Sequence, residues 1–244
     1  LADKHIEYLG CDIKTVVSES HKFGTDAILL ADFASPKANE NACDLGTGCG
    51  IIPLLWCRNG QAAHITAVEI QKQAYEQAVE SVKISSMQDK IDVINDDLKN
   101  IKNVLPHASM NVVAANPPYK ANGCGIVSVS DAEKIARHET ECNLNDVASA
   151  AAYILKFGGR LCVCNRPERL CDTVCAMKQA GIEPKRLRLV VKNPESKPWL
   201  FLMEGRKGGK PFMSVEPMLI MYKADGEYSD EVAKIYGNYK ENSR

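Results

Sequence analysis

The run Asp44-Leu45-Gly46-Thr47-Gly48-Cys49-Gly50 constrains this 244-residue chain more than any other feature. It sits between an apolar strand-like run, Ala42-Cys43-Asp44-Leu45, and a helical pattern that starts near Ile51. Glycines take up dihedrals other residues avoid and let backbone approach a ligand closely. A strand–turn–helix of this kind is where open α/β sheets bind ligands. The alternation continues downstream. His64–Glu69 reads as strand, and Gln71–Met87 as a helix whose Tyr75, Ala78, Val79 and Val82 recur on one buried face. Ile91–Ile94 and Asn111–Ala115 read as strands, and Leu144–Phe157 as a helix stopped by Gly158-Gly159. Arg160–Cys164 is strand-like and Glu168–Ala180 helical. Leu187–Val191, Pro198–Glu204 and Met218–Tyr222 then follow as strands without long helices between them. Such a pattern predicts an α/β fold whose sheet begins parallel and closes antiparallel.

At this length one sizeable core is expected, with no repeat or long linker to divide it. Hydrophobic residues at 45% and charged residues at 25% are ordinary for a soluble globular protein. No apolar run approaches the roughly 20 residues needed to cross a bilayer. The opening LADKHIEYLG does not read as a signal peptide, so a cytoplasmic protein without membrane attachment is expected. Ten cysteines raise the question of a disulfide or metal framework. Cys43, Cys57, Cys162 and Cys164 lie in apolar runs, where free cysteine behaves as a small hydrophobe. The spacing Cys162-x-Cys164 and Cys171-x3-Cys175 is not that of the common zinc modules, and no metal site is expected. Cys49 and Cys124 differ, since both fall in loops assigned to the site, where a reactive thiol is expected.

A dinucleotide fingerprint requires glycine at position 51, which is Ile51 here. The spacing G-x-G-x-G instead resembles the first motif of class I methyltransferases, which makes Asp44, Gly46 and Gly48 candidate contacts of S-adenosylmethionine. Glu69, ending the second strand, is placed to accept hydrogen bonds from both hydroxyls of a ribose. Asp97, after the third strand, is the candidate contact for the adenine amino group, with Asp96 as competitor and a helix N-cap as the alternative role.

Asn116-Pro117-Pro118-Tyr119 follows the fourth strand, and its Asn116 is a further candidate contact of the cofactor. A planar exocyclic amine or amide nitrogen is a poor nucleophile, because its lone pair is delocalised. The Asn116 side-chain oxygen and the Pro117 carbonyl can each accept one N–H, which draws the nitrogen toward tetrahedral geometry and frees the lone pair. Prolines supply rigid carbonyls and no competing donor. Tyr119 offers a flat surface for an extruded base. Catalysis would then rest on orientation and charge placement. The alternative is a proline-punctuated turn with no chemistry.

With both motifs in place, the chain resembles the amino-methylating class I methyltransferases, and more closely the bacterial tRNA(Val) adenosine-37 N6-methyltransferase family. The resemblance extends to Phe23-Gly24-Thr25-Asp26-Ala27-Ile28-Leu29-Leu30, Ala136-Arg137-His138-Glu139, Arg166-Pro167-Glu168-Arg169-Leu170 and Glu204-Gly205-Arg206-Lys207-Gly208-Gly209-Lys210-Pro211. It implies a Rossmann-like α/β fold with a mostly parallel seven-stranded sheet, an antiparallel C-terminal end and helices on both faces. Residues 1–40 would cover the cofactor site, with Thr25 and Asp26 as cofactor contacts, and 41–244 would form the methyltransferase domain. The implied substrate is adenosine beside the anticodon of a tRNA, where a base is easily splayed out.

Net charge is −1, yet Lys185–Lys210 holds eight basic residues against Glu195 and Glu204. Such a surplus is the expected footprint of phosphate contacts, or else a solvated edge. Arg186, Arg188, Arg206, Lys207 and Lys210 are the candidate RNA contacts, joined by Arg137 near the active loop. No obligatory protein partner is evident. The competing readings are methylation of a ribosomal guanine N2 or of a protein glutamine amide by the same core. A reading of another class is an RNA-binding protein that keeps the fold without catalysis.

Overall fold

The computed structural model describes residues 4–117, 143–237 and 239. Strands β3 (Asn41–Leu45), β4 (His64–Glu69), β5 (Ile91–Asn95), β6 (Met110–Ala115) and β7 (Leu155–Asn165) run parallel, in the spatial order β5-β4-β3-β6-β7. β9 (Leu200–Lys207) then pairs antiparallel with β7, and β8 (Ile182–Val191) antiparallel with β9. Two-residue strands β10 (Ser214–Val215) and β11 (Leu219–Ile220) finish the edge, parallel to β8. Among the described residues the sheet thus has nine strands, seven of them long. The antiparallel close lies in β8 and β9, and the expected last strand, Met218–Tyr222, is only the short β11.

Both faces are covered. On one lie α1 (Thr25–Ala34), α2 (Ile51–Arg58), α3 (Lys72–Ile84) and α7 (Asp230–Tyr236), packed around Leu29, Leu54, Trp56 and Ile65. On the other lie α4 (Ile101–Val104), α5 (Leu144–Ile154) and α6 (Leu170–Gln179), packed around Val113, Ile154, Leu161 and Phe201. This is the class I methyltransferase arrangement. Chain order reverses between β3 and β6, so a crevice opens beyond their carboxyl ends.

An antiparallel hairpin, β1 (His5–Gly10) and β2 (Ile13–Val17), stands apart from this sheet and packs on α3. Here the expected buried face of α3 needs correction. Val79 is 39% exposed and Tyr75 half-buried, while Gln77 and Ser81 are buried beside Ala78 and Val82. The polar side chains go inside because the free edge of β2 needs partners. Ser81 Oγ accepts from Val16 N at 2.8 Å, and Gln77 Nε2 donates to Val16 O at 2.7 Å. Ser85 Oγ accepts from Lys14 N and donates to Lys14 O. Four helical residues rise about 6 Å and two strand residues about 6.6 Å, so the two periods stay in step.

Gly158-Gly159 also act differently from expectation. The helix ends at Ile154, and both glycines lie within β7. Pairing jumps from Met110↔Leu155 to Val112↔Arg160, so extra residues loop out of β7. Gly158 has φ +78°, and a Cβ on Gly159 would meet Lys156 O at 2.9 Å.

Candidate active site

Gly46, Gly48 and Gly50 all have left-handed backbone, with φ of +78°, +58° and +83°. The turn is held from below, since Gly46 N and Thr47 N both donate to Val68 O. It is held from the side as well: Glu69 Oε2 accepts from Gly48 N at 2.8 Å, and Oε1 from Gln71 N at 2.9 Å. Glu69 therefore ties the ends of β3 and β4 together, and each oxygen keeps lone-pair capacity for a further donor.

Asp44 lies beneath the turn and is 1% exposed. Neither its oxygens nor the Thr47 hydroxyl has a hydrogen-bond partner among the described residues. Burial pushes the Asp44 carboxyl up to about 7; the nearby Thr47 hydroxyl offsets part of this, and the Glu69 charge adds to it. An unpartnered buried carboxyl is costly. A glycine cradle above it and a strand-end acid beside it fit a ligand that brings hydroxyl and ammonium donors.

A cavity of about 290 Å³ opens above the turn. Gly46, Gly48, Glu69, Asp96, Asp97, Asn116 and Pro117 line it, together with Ile70, Leu98 and Val147. The apolar residues make a slot that suits the faces of a flat heterocycle. Ile70, Leu98, Val147 and Gln71 are missing from the sequence expectation. A large aliphatic residue directly after the strand-end acid, 42% exposed at Ile70, is the signal that would have pointed there. Asp97 caps the following 3-10 turn, accepting from Lys99 N at 2.9 Å. Asp96 accepts from Asp97 N and from Asn100 Nδ2. Both acids line the cavity, so Asp97's capping role does not remove it from the cavity wall.

Asn116 and Pro117 stand at the carboxyl end of β6, on the wall of the same cavity. The buried Cys164 thiol, on the neighbouring β7, donates to Asn116 Oδ1 at 3.1 Å and lies 4.0 Å from Asp26 O. This thiol brings the start of α1 next to Asn116. Asp26 Oδ1 accepts from Ala27 N, and Thr25 Oγ1 accepts from Tyr236 Oη at 3.0 Å. Neither Thr25 nor Asp26 lines the cavity. Tyr119, Cys124, Arg137 and His138 lie outside the described residues.

The expected reactivity of Cys49 does not hold. It is 3% exposed, and burial pushes its thiol up to about 12, so the nucleophilic thiolate is absent at neutral pH. Cys162 is likewise buried and pushed up to about 12, while Cys171 and Cys175 are exposed.

The basic strands are arranged otherwise than a free surface. Residues alternate in β8, but Arg186 stacks over Phe33 at 3.8 Å and pairs with Glu204 at 3.0 Å and Glu216 at 3.3 Å. Arg188 makes a two-pronged pair with Glu231 at 2.7 and 2.8 Å. These two guanidiniums bolt α1 and α7 onto the sheet. Lys207 Nζ donates to Leu155 O, whereas Arg206 and Lys210 are exposed. Because β9 runs antiparallel to β7, residues 206–210 lie at the end of the sheet opposite Asn116.

Comparison with known proteins gives the family and the fold. Residues 15–180 match the family model of the methyltransferase small domain. A tRNA1(Val) (adenine(37)-N6)-methyltransferase of Tolumonas auensis is 30% identical over 213 residues, covering 86% of each chain. Among solved structures, a predicted O-methyltransferase from Agrobacterium tumefaciens superposes with a TM-score of 0.70 at 21% identity, covering 90% of this chain and 100% of that one. A geranyl diphosphate C-methyltransferase from Streptomyces coelicolor, solved with S-adenosyl-L-homocysteine, superposes with a TM-score of 0.55 at 12% identity, covering 74% and 79%. At these identities the structural likenesses show the fold alone.

Proposed function

The chain belongs to the methyltransferase small domain family and to the tRNA1(Val) (adenine(37)-N6)-methyltransferases, and on that premise we propose that it methylates N6 of adenosine 37 in a valine tRNA, using S-adenosylmethionine. One observation carries the reading: Asn116 and Pro117 share a single cavity with the glycine turn and Glu69. Donor and acceptor would thereby meet at the carboxyl ends of β3 and β6.

Gly46, Gly48 and Glu69 would hold the cofactor's sugar, Asp96 and Asp97 its adenine amino group, and Ile70 and Leu98 the faces of its base. Asp44, Thr25 and Asp26 are the candidates for its amino-acid end; the unpartnered Asp44 carboxyl supports that role for Asp44. When bound, this cofactor supplies an electrophilic methyl group on a sulfonium. Asn116 Oδ1 and the Pro117 carbonyl accept the two N–H bonds of the target amine, which localises its lone pair on nitrogen. The developing positive charge on that nitrogen then faces two oxygens already in place. Tyr119 is the proposed stacking surface for the extruded adenine. The N–H acceptor pair also suits a guanine N2 or a glutamine amide; adenine N6 is preferred because the matched relatives carry that activity in their names.

Asn116→Ala tests the mechanism. Methyl transfer to unmodified valine tRNA is expected to fall at least 100-fold, roughly the cost of one well-placed oxyanion-type contact. Calorimetric affinity for S-adenosylhomocysteine is expected to change less than threefold. Near-normal turnover in this variant would remove Asn116 from the reaction.

A further inference from the structure

The family reading leaves open where the nucleic acid lies on the protein. Eight cations between Lys185 and Lys210 look like one patch in the sequence, but the topology splits them between two ends of the sheet. Arg206 pairs with Arg160 in the β7–β9 ladder, and Phe201 pairs with Asn165. The segment 192–199, which joins β8 to β9, therefore emerges at the same end as Asn116. Arg206 and Lys210 emerge at the other.

At the Asn116 end, cations and aromatic rings alternate. Ala115 pairs with Val163, which sets Asn116 level with Cys164. Arg166 directly follows that neighbouring strand, two residues beyond Cys164 and still extended, which puts its backbone about 8 Å from Asn116 by strand geometry. Its guanidinium is exposed yet held in place: Nη1 donates to Trp199 O at 3.0 Å, and the group sits 5.5 Å from the Trp199 ring centre. Lys192 and Lys197, on the same connection, are exposed. Tyr222 N donates to Lys192 O at 2.9 Å, which sets the two backbones side by side, and Tyr222 is 37% exposed. Tyr222 is backed by Tyr228 in a stacked pair at 5.3 Å, so the ring is pre-set. Glu168 and Glu195 are the acids beside these cations, and Asp225 and Glu227 lie between Tyr222 and Tyr228. By contrast, Arg206 lies six residues below Arg166 along the β7 register, about 20 Å away.

A base held at Asn116 brings its own phosphates and its immediate neighbours with it. Cations interleaved with aromatic faces are the usual means of holding a splayed single strand. We propose that the nucleotides flanking the target adenosine are bound at the Asn116 end of the sheet by Arg166, Lys192 and Lys197, with Tyr222 as a stacking surface. On this view the Arg206–Lys210 cluster is not the primary RNA contact. The inference rests on the reading that the substrate is a tRNA.

The test compares two variants, Arg166→Ala/Lys192→Ala/Lys197→Ala and Arg206→Ala/Lys210→Ala, for binding to an unmodified valine tRNA transcript across salt concentrations. The first is expected to lose at least tenfold in affinity, with the slope of log K against log salt reduced by about 2, since each single-strand phosphate contact contributes roughly 0.7. The second is expected to stay within twofold of wild type. S-adenosylhomocysteine binding should be unchanged in both, which reports an intact fold. If the triple variant is not folded, Lys192→Glu/Lys197→Glu, at two exposed positions, takes its place with the same expectation. Tyr222→Ala should weaken binding several-fold while Tyr222→Phe restores it. Unchanged affinity in the Asn116-end variant, or an equal or larger loss in the Arg206/Lys210 variant, overturns the inference while wild-type methylation of the transcript keeps the functional reading. Absence of tRNA methylation by the wild type overturns that reading instead.

Discussion

Asp44 carries the most distinctive electrostatics at the residue scale. Its carboxyl is buried, unpartnered among the described residues and pushed up to about 7 by burial. The unfolded chain loses this proton near pH 4, whereas the folded chain keeps it until about pH 7. The folded state thus binds more protons between those values, and stability falls as pH rises through them. The whole effect is up to about 4 kcal/mol, an upper figure for a shift of this size. In ligand-free protein, Asp44→Asn should remove most of that loss, measured as the difference in urea stability between pH 5 and pH 8 for the two proteins. A difference that is the same in both would mean that Asp44 titrates normally. Motif spacing marks Asp44, Gly46, Gly48, Glu69, Asn116 and Pro117 in the sequence, because each sits at a strand end that the pattern shows. Cys164 was not readable as a neighbour of Asn116, since which strand lies beside β6 is a matter of sheet order.

The α3–β2 contact at the element scale shows where hydrophobic periodicity misleads. An apolar stripe pointed Val79 inward, yet Val79 is exposed and Gln77, Ser81 and Ser85 are buried. Their hydroxyl and amide groups take the place of a neighbouring strand for β2, a role that only the structure of the hairpin's edge could reveal. Ser81→Ala would leave Val16 N–H buried without a partner, at a cost of about 1–3 kcal/mol. Val79→Ser should cost less than about 0.5 kcal/mol, as an exposed substitution. Urea denaturation of the two variants checks this, and a reversed ranking would contradict the assigned faces. The Gly158-Gly159 pair misled in a similar way: glycines that end helices also make bulges, and pairing with β6 decided between the two.

Over the whole molecule, the alternation of strands and helices was enough to place the glycine turn and Asn116-Pro117 at one end of a parallel sheet. The position of the C-terminal cations was not legible. Arg186 and Arg188 look like a solvent-facing basic row in sequence, but α1 brings Phe33, α7 brings Glu231 and the connection from β10 to β11 brings Glu216 against them. The antiparallel turn of β8 and β9 sends Arg206 and Lys210 away from the site. Function therefore turns on one end of the sheet, and the central claim is that a methyl group reaches an adenine amine held there by Asn116. The most direct measurement is incubation of the purified chain and S-adenosylmethionine with total tRNA lacking the modification, followed by mass spectrometry of the digested RNA. The account predicts N6-methyladenosine at position 37 of a valine tRNA; methylation confined to a guanine, to protein or to no acceptor would contradict it.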